Sequence, residues 1–318
     1  QPLEIAGAAI EPTVSVGVAT GTPGMEADDL LSNAGRALAH AKGSGRDRVE
    51  VYTDELAALA TRRRVAEQQL RQALDTDGVG VHYQPIVDVG SGETIGAEAL
   101  LRVESADGAH LSPAEFIEAA ESTGLIARLG RQVLQITCEQ LNAWSSRGGP
   151  GLQMISVNIS PRQLADPGLP TKVVDTLNAA GVAPERLCLE IGESILISAQ
   201  STVDATISYL RALGVRIGLD DFGAGQSSLG YLKRFPLDFV KIDRTLVSGL
   251  GTDEQDTAIV RATVELAHNL GLQVTAVGVE YPEQLEMLQI LGCDRAQGYL
   301  FAPPLSAEAF AERTASAS

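Results

Sequence analysis

The fold is decided by the stretch Val215-Arg216-Ile217-Gly218-Leu219-Asp220-Asp221-Phe222-Gly223-Ala224-Gly225, an apolar run that leads into two acids and a glycine-rich turn. The apolar part, Val215–Leu219, predicts a buried strand. Similar strand-like runs are found at Met154–Ile159, Leu187–Ile191, Phe239–Ile242 and Val274–Val277. Helical patterns separate them near residues 125–146, 171–180, 201–213, 254–270 and 282–291. Such alternation predicts a parallel sheet with helical crossovers.

The start of this region has a different pattern. Val81–Val89 and Thr94–Val103 flank the tight turn Gly90-Ser91-Gly92, which predicts an antiparallel first pair. No Gly-rich dinucleotide fingerprint follows the first strand, and about 240 residues of alternation fit a closed barrel better than an open sheet. We therefore expect an α/β fold with a TIM-like (β/α)8 barrel and an antiparallel first strand.

Composition narrows the possible partners. The 318 residues include 24 Lys and Arg against 41 Asp and Glu, a net charge of −17. This balance argues against polymeric nucleic acid or an anionic membrane surface as a partner, because both require a basic face. No apolar run is long enough to span a membrane, so we expect no membrane contact within this chain. The three cysteines, Cys138, Cys188 and Cys293, have no metal-type spacing and predict buried thiols in a cytoplasmic protein.

The N-terminal part predicts a separate small α+β element. Residues 1–53 contain a strand near Thr13–Ala19, a helix over 27–42 and a strand at Val49–Tyr52. Since this is too short for an independent core, we expect the remnant of a larger domain, and the start at Gln1 is typical of a fragment. A polar helix over residues 54–76 would link it to a barrel domain over residues 77–318.

Hard oxygen ligands and a cation follow five consecutive predicted strands. In chain order they are Glu98, Asn158, Glu190 with Glu193, Asp220 with Asp221, and Lys241 with Asp243. The C-terminal ends of barrel strands converge on one site. Crowded carboxylates repel one another unless a cation neutralises them, and carboxylate and amide oxygens suit Mg²⁺ or Mn²⁺. The residues alone thus predict a metal-dependent barrel, with phosphoester hydrolysis as a candidate activity.

The motifs add a specific resemblance. Glu98-Ala99-Leu100-Leu101-Arg102 matches the ExLxR signature of the EAL family. Other family motifs follow in order around it: Tyr83-Gln84-Pro85-Ile86, Asn158-Ile159-Ser160, Glu190-Ile191-Gly192-Glu193, Asp220 to Gly225, Lys241-Ile242-Asp243 and Gln297-Gly298-Tyr299. The chain resembles this family over roughly residues 62–312.

The resemblance implies an activity and a role for each matched residue. EAL domains hydrolyse cyclic di-GMP to pGpG with one or two Mg²⁺ or Mn²⁺ ions, and they usually form homodimers. By resemblance, Glu98, Asn158, Glu190 and Asp220 hold the first metal, and Asp220 and Asp221 hold the second. Glu98, Asp221 and Lys241 would be catalytic, with Lys241 orienting the attacking water. The substrate would be bound by Gln84, Leu100, Arg102, Asp243 and Gln297, and Glu193 would support the Asp221–Gly225 loop.

One position departs from the family pattern. Where the family has Ala-Glu-Gly-Val-Glu, this chain has Ala276-Val277-Gly278-Val279-Glu280. The first Glu of that pattern belongs to the second metal's sphere, and valine can neither bind a metal nor accept a proton. We therefore expect cyclic di-GMP binding with weak or absent turnover. The alternatives are an active phosphodiesterase, in which a nearby acid or water substitutes, and a protein-interaction module without ligand.

The N-terminal residues carry a second resemblance. Ser15-Val16-Gly17, Ala41-Lys42 and Gly45-Arg46 are similar to the end of a GGDEF domain, the diguanylate cyclase fold. The catalytic signature of that domain is not among these residues, so this chain is not expected to cyclise GTP.

Overall fold

A computed structural model describes residues 3–5, 8–10, 13–43, 46–76, 78–104, 112–146, 149, 151–193, 195, 201–224 and 229–316. Its central feature is a closed barrel of eight strands, β5 to β12, which follow one another around the barrel in chain order. Their bounds are β5 Val79–Asp88, β6 Thr94–Val103, β7 Met154–Ile159, β8 Leu187–Gly192, β9 Arg216–Phe222, β10 Phe239–Ile242, β11 Gln273–Val277 and β12 Arg295–Gln297. The predicted barrel is confirmed.

The first strand of the barrel, β5, is antiparallel to both of its neighbours, while the other neighbouring pairs are parallel. The barrel therefore closes through an antiparallel seam between β12 and β5. Beyond β12 the seam is extended by Leu305, whose backbone forms two hydrogen bonds with Tyr83. The antiparallel first strand predicted from the glycine turn is thus confirmed.

Helices lie between the parallel strands. They are α3 Pro113–Thr123, α4 Ile126–Ser146, α5 Pro161–Leu164, α6 Leu169–Ala180, α7 Ser201–Ala212, α8 Leu229–Arg234, α9 Arg244–Ser248, α10 Glu254–Asn269 and α11 Pro282–Leu291, followed by α12 Ala307–Ser316. The hairpin between β5 and β6 has no crossover helix. Instead Tyr83, on the outer face of β5, packs edge-on against Trp144 of α4 at 4.9 Å, and Trp144 stacks on Phe310 of α12 at 5.0 Å.

Apolar side chains pack together in the lower half of the barrel, where the parallel strands begin. Ile86, Met154, Cys188 and Phe239 form a buried cluster there. A Cβ added at Gly218 would lie 2.2 Å from the Phe239 ring, so this position requires glycine. Cys138, Cys188 and Cys293 are buried and free, as expected, and burial raises the pKa of each thiol to about 12.

The chain divides into two compact units. One comprises residues 1–71 with 114–123, and the other comprises residues 72–113 with 124–318 and contains the barrel. The first unit has an antiparallel pair, β1 Leu3–Ile5 with β2 Ala8–Ile10, and a parallel pair, β3 Val16–Val18 with β4 Val49–Val51. Helix α1, Ala27–Gly43, joins β3 to β4, and α2, Asp54–Asp75, follows.

The small parallel sheet carries exposed apolar side chains. Val16, Val18, Val49 and Val51 are 36–64% exposed. Gly17, between the first two, meets α1 so closely that an added Cβ would lie 2.3 Å from the Ala34 carbonyl oxygen. The domain boundaries predicted at residues 53 and 76 stay predictions. Among the described residues, no helix has the length and apolar character needed to cross a membrane.

Candidate functional site

Seven of the eight barrel strands each place one polar side chain in the same region, toward the C-terminal ends of the parallel strands. They are Gln84 of β5, Glu98 of β6, Asn158 of β7, Glu190 of β8, Asp220 of β9, Lys241 of β10 and Gln297 of β12. Strand register brings several of them level, since Gln84 pairs with Glu98 and Asn158 pairs with Glu190. The sequence predicted all seven.

Lys241 lies at the centre of this group. Its ammonium nitrogen is 2.9 Å from Glu98 Oε2, 2.7 Å from Glu190 Oε2 and 3.4 Å from Asp220 Oδ1. The Lys241 side chain is only 2% exposed, and that of Glu190 is fully buried. A buried ammonium group is stable only when carboxylates surround it, so Lys241 and the acids depend on one another.

The electrostatic balance of the cluster differs from group to group. Burial would raise the pKa of Glu98, but the Lys241 charge and hydrogen bonds from Lys241, Gln297 and Asn158 outweigh it, and the pKa is lowered. At Glu190 burial dominates, and with repulsion from Glu98 and Asp220 it raises the pKa to about 8 despite Lys241. Burial would lower the pKa of Lys241, but Glu190, Glu98 and Asp220 raise it well above its ordinary value. These effects favour the protonated form of Glu190 and the charged form of Lys241.

A chain of amide groups fixes the orientation of Glu98. Asn158 Nδ2 donates to Glu98 Oε1 at 2.8 Å, and Gln297 Nε2 donates to Glu98 Oε2 at 2.7 Å. Gln297 Nε2 also donates to Gln84 Oε1 at 2.9 Å, and Gln84 Nε2 donates to the Ala302 carbonyl oxygen at 3.1 Å. The structure thus places Gln84 behind Gln297, with both ends of its amide bonded to protein groups.

The pair Asp220 and Asp221 lies at the end of β9, inside the strand rather than after it as predicted. Asp221 has a positive φ of 57°, an uncommon conformation for a residue with a side chain. Its backbone N–H donates to Asp220 Oδ1 at 3.0 Å. Burial, followed by repulsion from Asp220 and Asp243, raises the pKa of Asp221. The strained backbone keeps two adjacent carboxylates near the cluster.

The arrangement fits a hard divalent cation. One carboxylate oxygen each from Glu98, Glu190 and Asp220 lies within 4.8 Å of the others. Glu190 Oε1 is buried without a hydrogen-bond partner among the described residues. Buried carboxylate oxygens grouped in this way are the donors that Mg²⁺ and Mn²⁺ prefer, and Lys241 occupies the centre as a monovalent cation.

Val277 lies beside the cluster. It ends β11 and pairs in register with Gln297, while Thr275, two residues earlier, pairs with Arg295 and with Lys241. Register partners in neighbouring strands point to the same face, so Val277 and Gln297 share the inner face of the barrel. The eighth strand therefore ends at the site with an apolar side chain, where the others carry polar groups.

The remaining predicted site residues lie around this centre. Leu100 and Arg102 follow Glu98 on alternate positions of β6 and are half-buried, and Arg102 Nη1 donates to the Leu101 carbonyl oxygen. Asp243 caps α9, accepting from the Thr245 backbone N–H at 2.9 Å. Glu193 is buried at the end of β8. Its predicted support of the Asp221–Gly225 loop stays a prediction, and Gly225 lies outside the described residues.

Sequence reasoning missed the Ala302 carbonyl group, which holds Gln84. A backbone acceptor has no sequence signal, because every residue carries one. It also missed the strand β12, since Arg295-Ala296-Gln297 is short and has no apolar alternation. Gln297 was found only through its motif.

Comparison with known proteins agrees with this geometry. The EAL domain profile matches residues 67–304. The bifunctional diguanylate cyclase/cyclic di-GMP phosphodiesterase MucR of Pseudomonas aeruginosa is 38% identical over 309 residues, 97% of this chain and 45% of MucR. The cyclic di-GMP phosphodiesterase NbdA of the same organism is 37% identical over 313 residues, 98% of this chain and 40% of NbdA. The chain thus spans about half or less of the length of these curated relatives.

A solved structure is similar over the barrel. It is described as PaMucR phosphodiesterase in complex with c-di-GMP, and it superimposes with a TM-score of 0.73 and 41% identity, covering 77% of this chain and 99% of that one. The profile match covers well over half of the sequence, and the alignment with MucR covers nearly all of the sequence. On these grounds, the chain belongs to the EAL domain family.

Proposed function

We propose that this chain binds cyclic di-GMP together with a divalent metal ion, Mg²⁺ or Mn²⁺, and that it hydrolyses the ligand weakly or not at all. The observation that carries the proposal is the Glu98–Glu190–Asp220 cluster around Lys241, beside which stands Val277. The c-di-GMP complex of the related PaMucR structure supports the choice of ligand.

The proposed roles divide between holding the metal and orienting the ligand. Glu98, Asn158, Glu190 and Asp220 would hold the ion, with Asp221 available for a second one. When bound, such ions neutralise a phosphodiester and acidify water. Gln297, whose Oε1 is buried without a partner among the described residues, offers an acceptor to a water molecule or a guanine N–H.

Two cationic side chains would meet the negative charge of the ligand. Lys241 is held at a fixed place by its carboxylates, so its ammonium can stabilise charge at phosphorus without reorganisation. The half-buried Arg102 guanidinium would bind a phosphate oxygen. The acidic protein then binds an anion because metal and ammonium charges reverse the local field.

Val277 decides between binding and turnover. The other predicted metal-site side chains are retained, which supports ligand binding and disfavours a ligand-free interaction module. At residue 277 a methyl-bearing side chain replaces a proton acceptor and metal ligand, which should weaken a second ion and leave the attacking water less activated. An active phosphodiesterase is the second candidate, favoured by the intact cluster around Lys241.

For the N-terminal residues we propose the C-terminal part of a GGDEF-like domain over 1–53, joined by the helix 54–76 to the barrel domain 77–318. The exposed valines of β3 and β4 support this assignment, because an apolar sheet face is normally packed against another element of its domain. The aligned region of MucR, whose name includes diguanylate cyclase, extends into this part of the chain. A homodimer and a cytoplasmic location remain proposals from the family resemblance.

The substitution Val277→Glu tests the proposed loss of turnover. Because a carboxylate at this position can complete the second metal's sphere, we expect pGpG formation to rise about 10- to 100-fold, the range typical for residues that support a metal site. Chromatography of cyclic di-GMP incubated with protein and Mg²⁺ or Mn²⁺ measures the rate. Val277→Gln is the matched control, since it adds the same length without the charge, and it should not raise the rate.

If the natural protein forms pGpG as fast as Val277→Glu does, the proposed role of residue 277 is wrong and the active phosphodiesterase is the correct function.

Metal affinity should increase with pH. The pKa of Glu190 is raised to about 8, so below that pH a proton must leave before the carboxylate can bind a cation. The affinity for Mn²⁺ should therefore fall up to about tenfold for each pH unit below 8. Calorimetric titrations at pH 6, 7 and 8 measure it. The dependence should be lost in Glu190→Gln, and an affinity of the natural protein that is constant from pH 6 to 8 would contradict the assignment.

Ligand binding can be measured without hydrolysis when Ca²⁺ replaces Mg²⁺. We expect the natural protein to release or absorb heat on titration with cyclic di-GMP and Ca²⁺. Arg102→Met should weaken binding about 10- to 100-fold, because it removes a charge-assisted hydrogen bond to phosphate. Arg261→Met makes the same charge change on the exposed face of α10, away from the end of the barrel that carries Lys241. This variant should bind cyclic di-GMP normally. No binding by the natural protein would exclude the ligand-binding function.

A further inference from the structure

Two arginines lie inside the barrel at the end where the parallel strands begin, which we call the barrel floor. Arg216 is the first residue of β9, and Arg295 is the first residue of β12. Both side chains reach the same apolar cluster: Arg216 Nη1 lies 4.0 Å from Met154 Sδ, and the Arg295 guanidinium lies 5.9 Å from the centre of the Phe239 ring. Two positive charges thus border one small region of the barrel floor.

Arg295 is almost completely buried and only partly bonded. The residue is 4% exposed, and one of its nitrogens, Nη2, donates to Gln273 Oε1. Its Nε and Nη1 are buried with no hydrogen-bond partner among the described residues. Leaving two N–H groups of a charged side chain unbonded in the interior carries a large desolvation cost.

The acids closest to Arg295 in strand register or sequence attract its charge without forming an ion pair with it. Asp88, its register partner on β5, accepts hydrogen bonds from the backbone and side chain of Ser91. Asp294 accepts from the Val274 backbone N–H and contacts His268. Across the described ranges, neither Arg216 nor Arg295 has a carboxylate oxygen within 4.0 Å. The floor therefore has two cationic groups without a paired anion.

Arg216 is also reached from the protein surface. Arg216 also lines a pocket of about 650 Å³ at the same end of the barrel, together with Arg211, Glu185 and Asp238. Asp238 in that pocket is already paired with Arg211 and bonded to the Ile217 backbone N–H. Arg216 is therefore accessible from this pocket, whereas Arg295 is not among the residues that line it.

We propose that the barrel floor binds a small inorganic anion of halide size on the free N–H groups of Arg295, with Arg216 as the second cationic neighbour. The anion would supply the missing acceptor and compensate a buried charge that no carboxylate pairs with. Arg295 lies two residues before Gln297 on β12, and its Nη2 hydrogen bond goes to Gln273 rather than to the Lys241 cluster.

Thermal unfolding in matched salts tests the proposal. At equal ionic strength, sodium chloride or bromide should raise the unfolding temperature of the natural protein above that in sodium gluconate, whose anion is too large to enter, by about 3 °C. Arg295→Met should lose this difference. Arg261→Met, an exposed arginine on α10, removes the same charge and should keep it. Equal differences in all three proteins would overturn the proposal.

A second measurement keeps the proposal testable if Arg295→Met does not fold. Crystals of the natural protein grown in sodium bromide should show an anomalous-scattering peak within about 3.5 Å of Arg295 Nε or Nη1, the distance expected for a charge-assisted contact to a large anion. A water molecule at that place, or no peak there, would overturn the site.

Discussion

The contact between the Lys241 ammonium group and the buried carboxylates of Glu98 and Glu190 is the interaction on which the arrangement of the site depends. With Asp220, three acids from three strands lie within 4.8 Å of one another, an arrangement that repulsion would disperse in the absence of positive charge. Lys241 supplies one positive charge, and the raised pKa of Glu190 favours its uncharged, protonated form. The negative charge of the acidic cluster is thus partly neutralised by groups of the protein itself.

Barrel closure and the chemistry of the site are linked through Glu98. A chain of hydrogen bonds runs from the Ala302 carbonyl group to Gln84 on β5, then to Gln297 on β12 and to Glu98 on β6. These three strands form the part of the barrel where an antiparallel strand closes the sheet. An error in closure would therefore misplace a proposed metal ligand. Val277 pairs with Gln297 from β11, on the side of β12 away from the seam, so a carboxylate missing from residue 277 leaves the support of Glu98 intact. This separation makes ligand binding without turnover physically reasonable.

The sequence predicts the fold well because seven of the eight barrel strands have their own apolar run and the glycine turn at Gly90–Gly92 identifies the antiparallel pair. It predicts the members of the site through their positions at strand ends and their motifs. It predicts that Lys241 lies at the same end of the barrel as the acids, but not that its ammonium group bonds to Glu98 and Glu190, because those contacts join residues 143 and 51 positions apart. Nor does it distinguish Arg216 and Arg295 from surface arginines, since a strand pattern does not tell which long side chains turn inward. These features depend on barrel register, which no local pattern encodes.

The most direct test of this account is the stability of Lys241→Met, measured by urea unfolding in EDTA and again with saturating Mn²⁺. If the ammonium group holds the acids together, its loss leaves uncompensated buried charge and should lower the free energy of unfolding by about 3–5 kcal/mol in EDTA. Mn²⁺ should restore most of that loss, because a divalent ion replaces the missing cation. A variant as stable as the natural protein in EDTA would contradict the central role of Lys241.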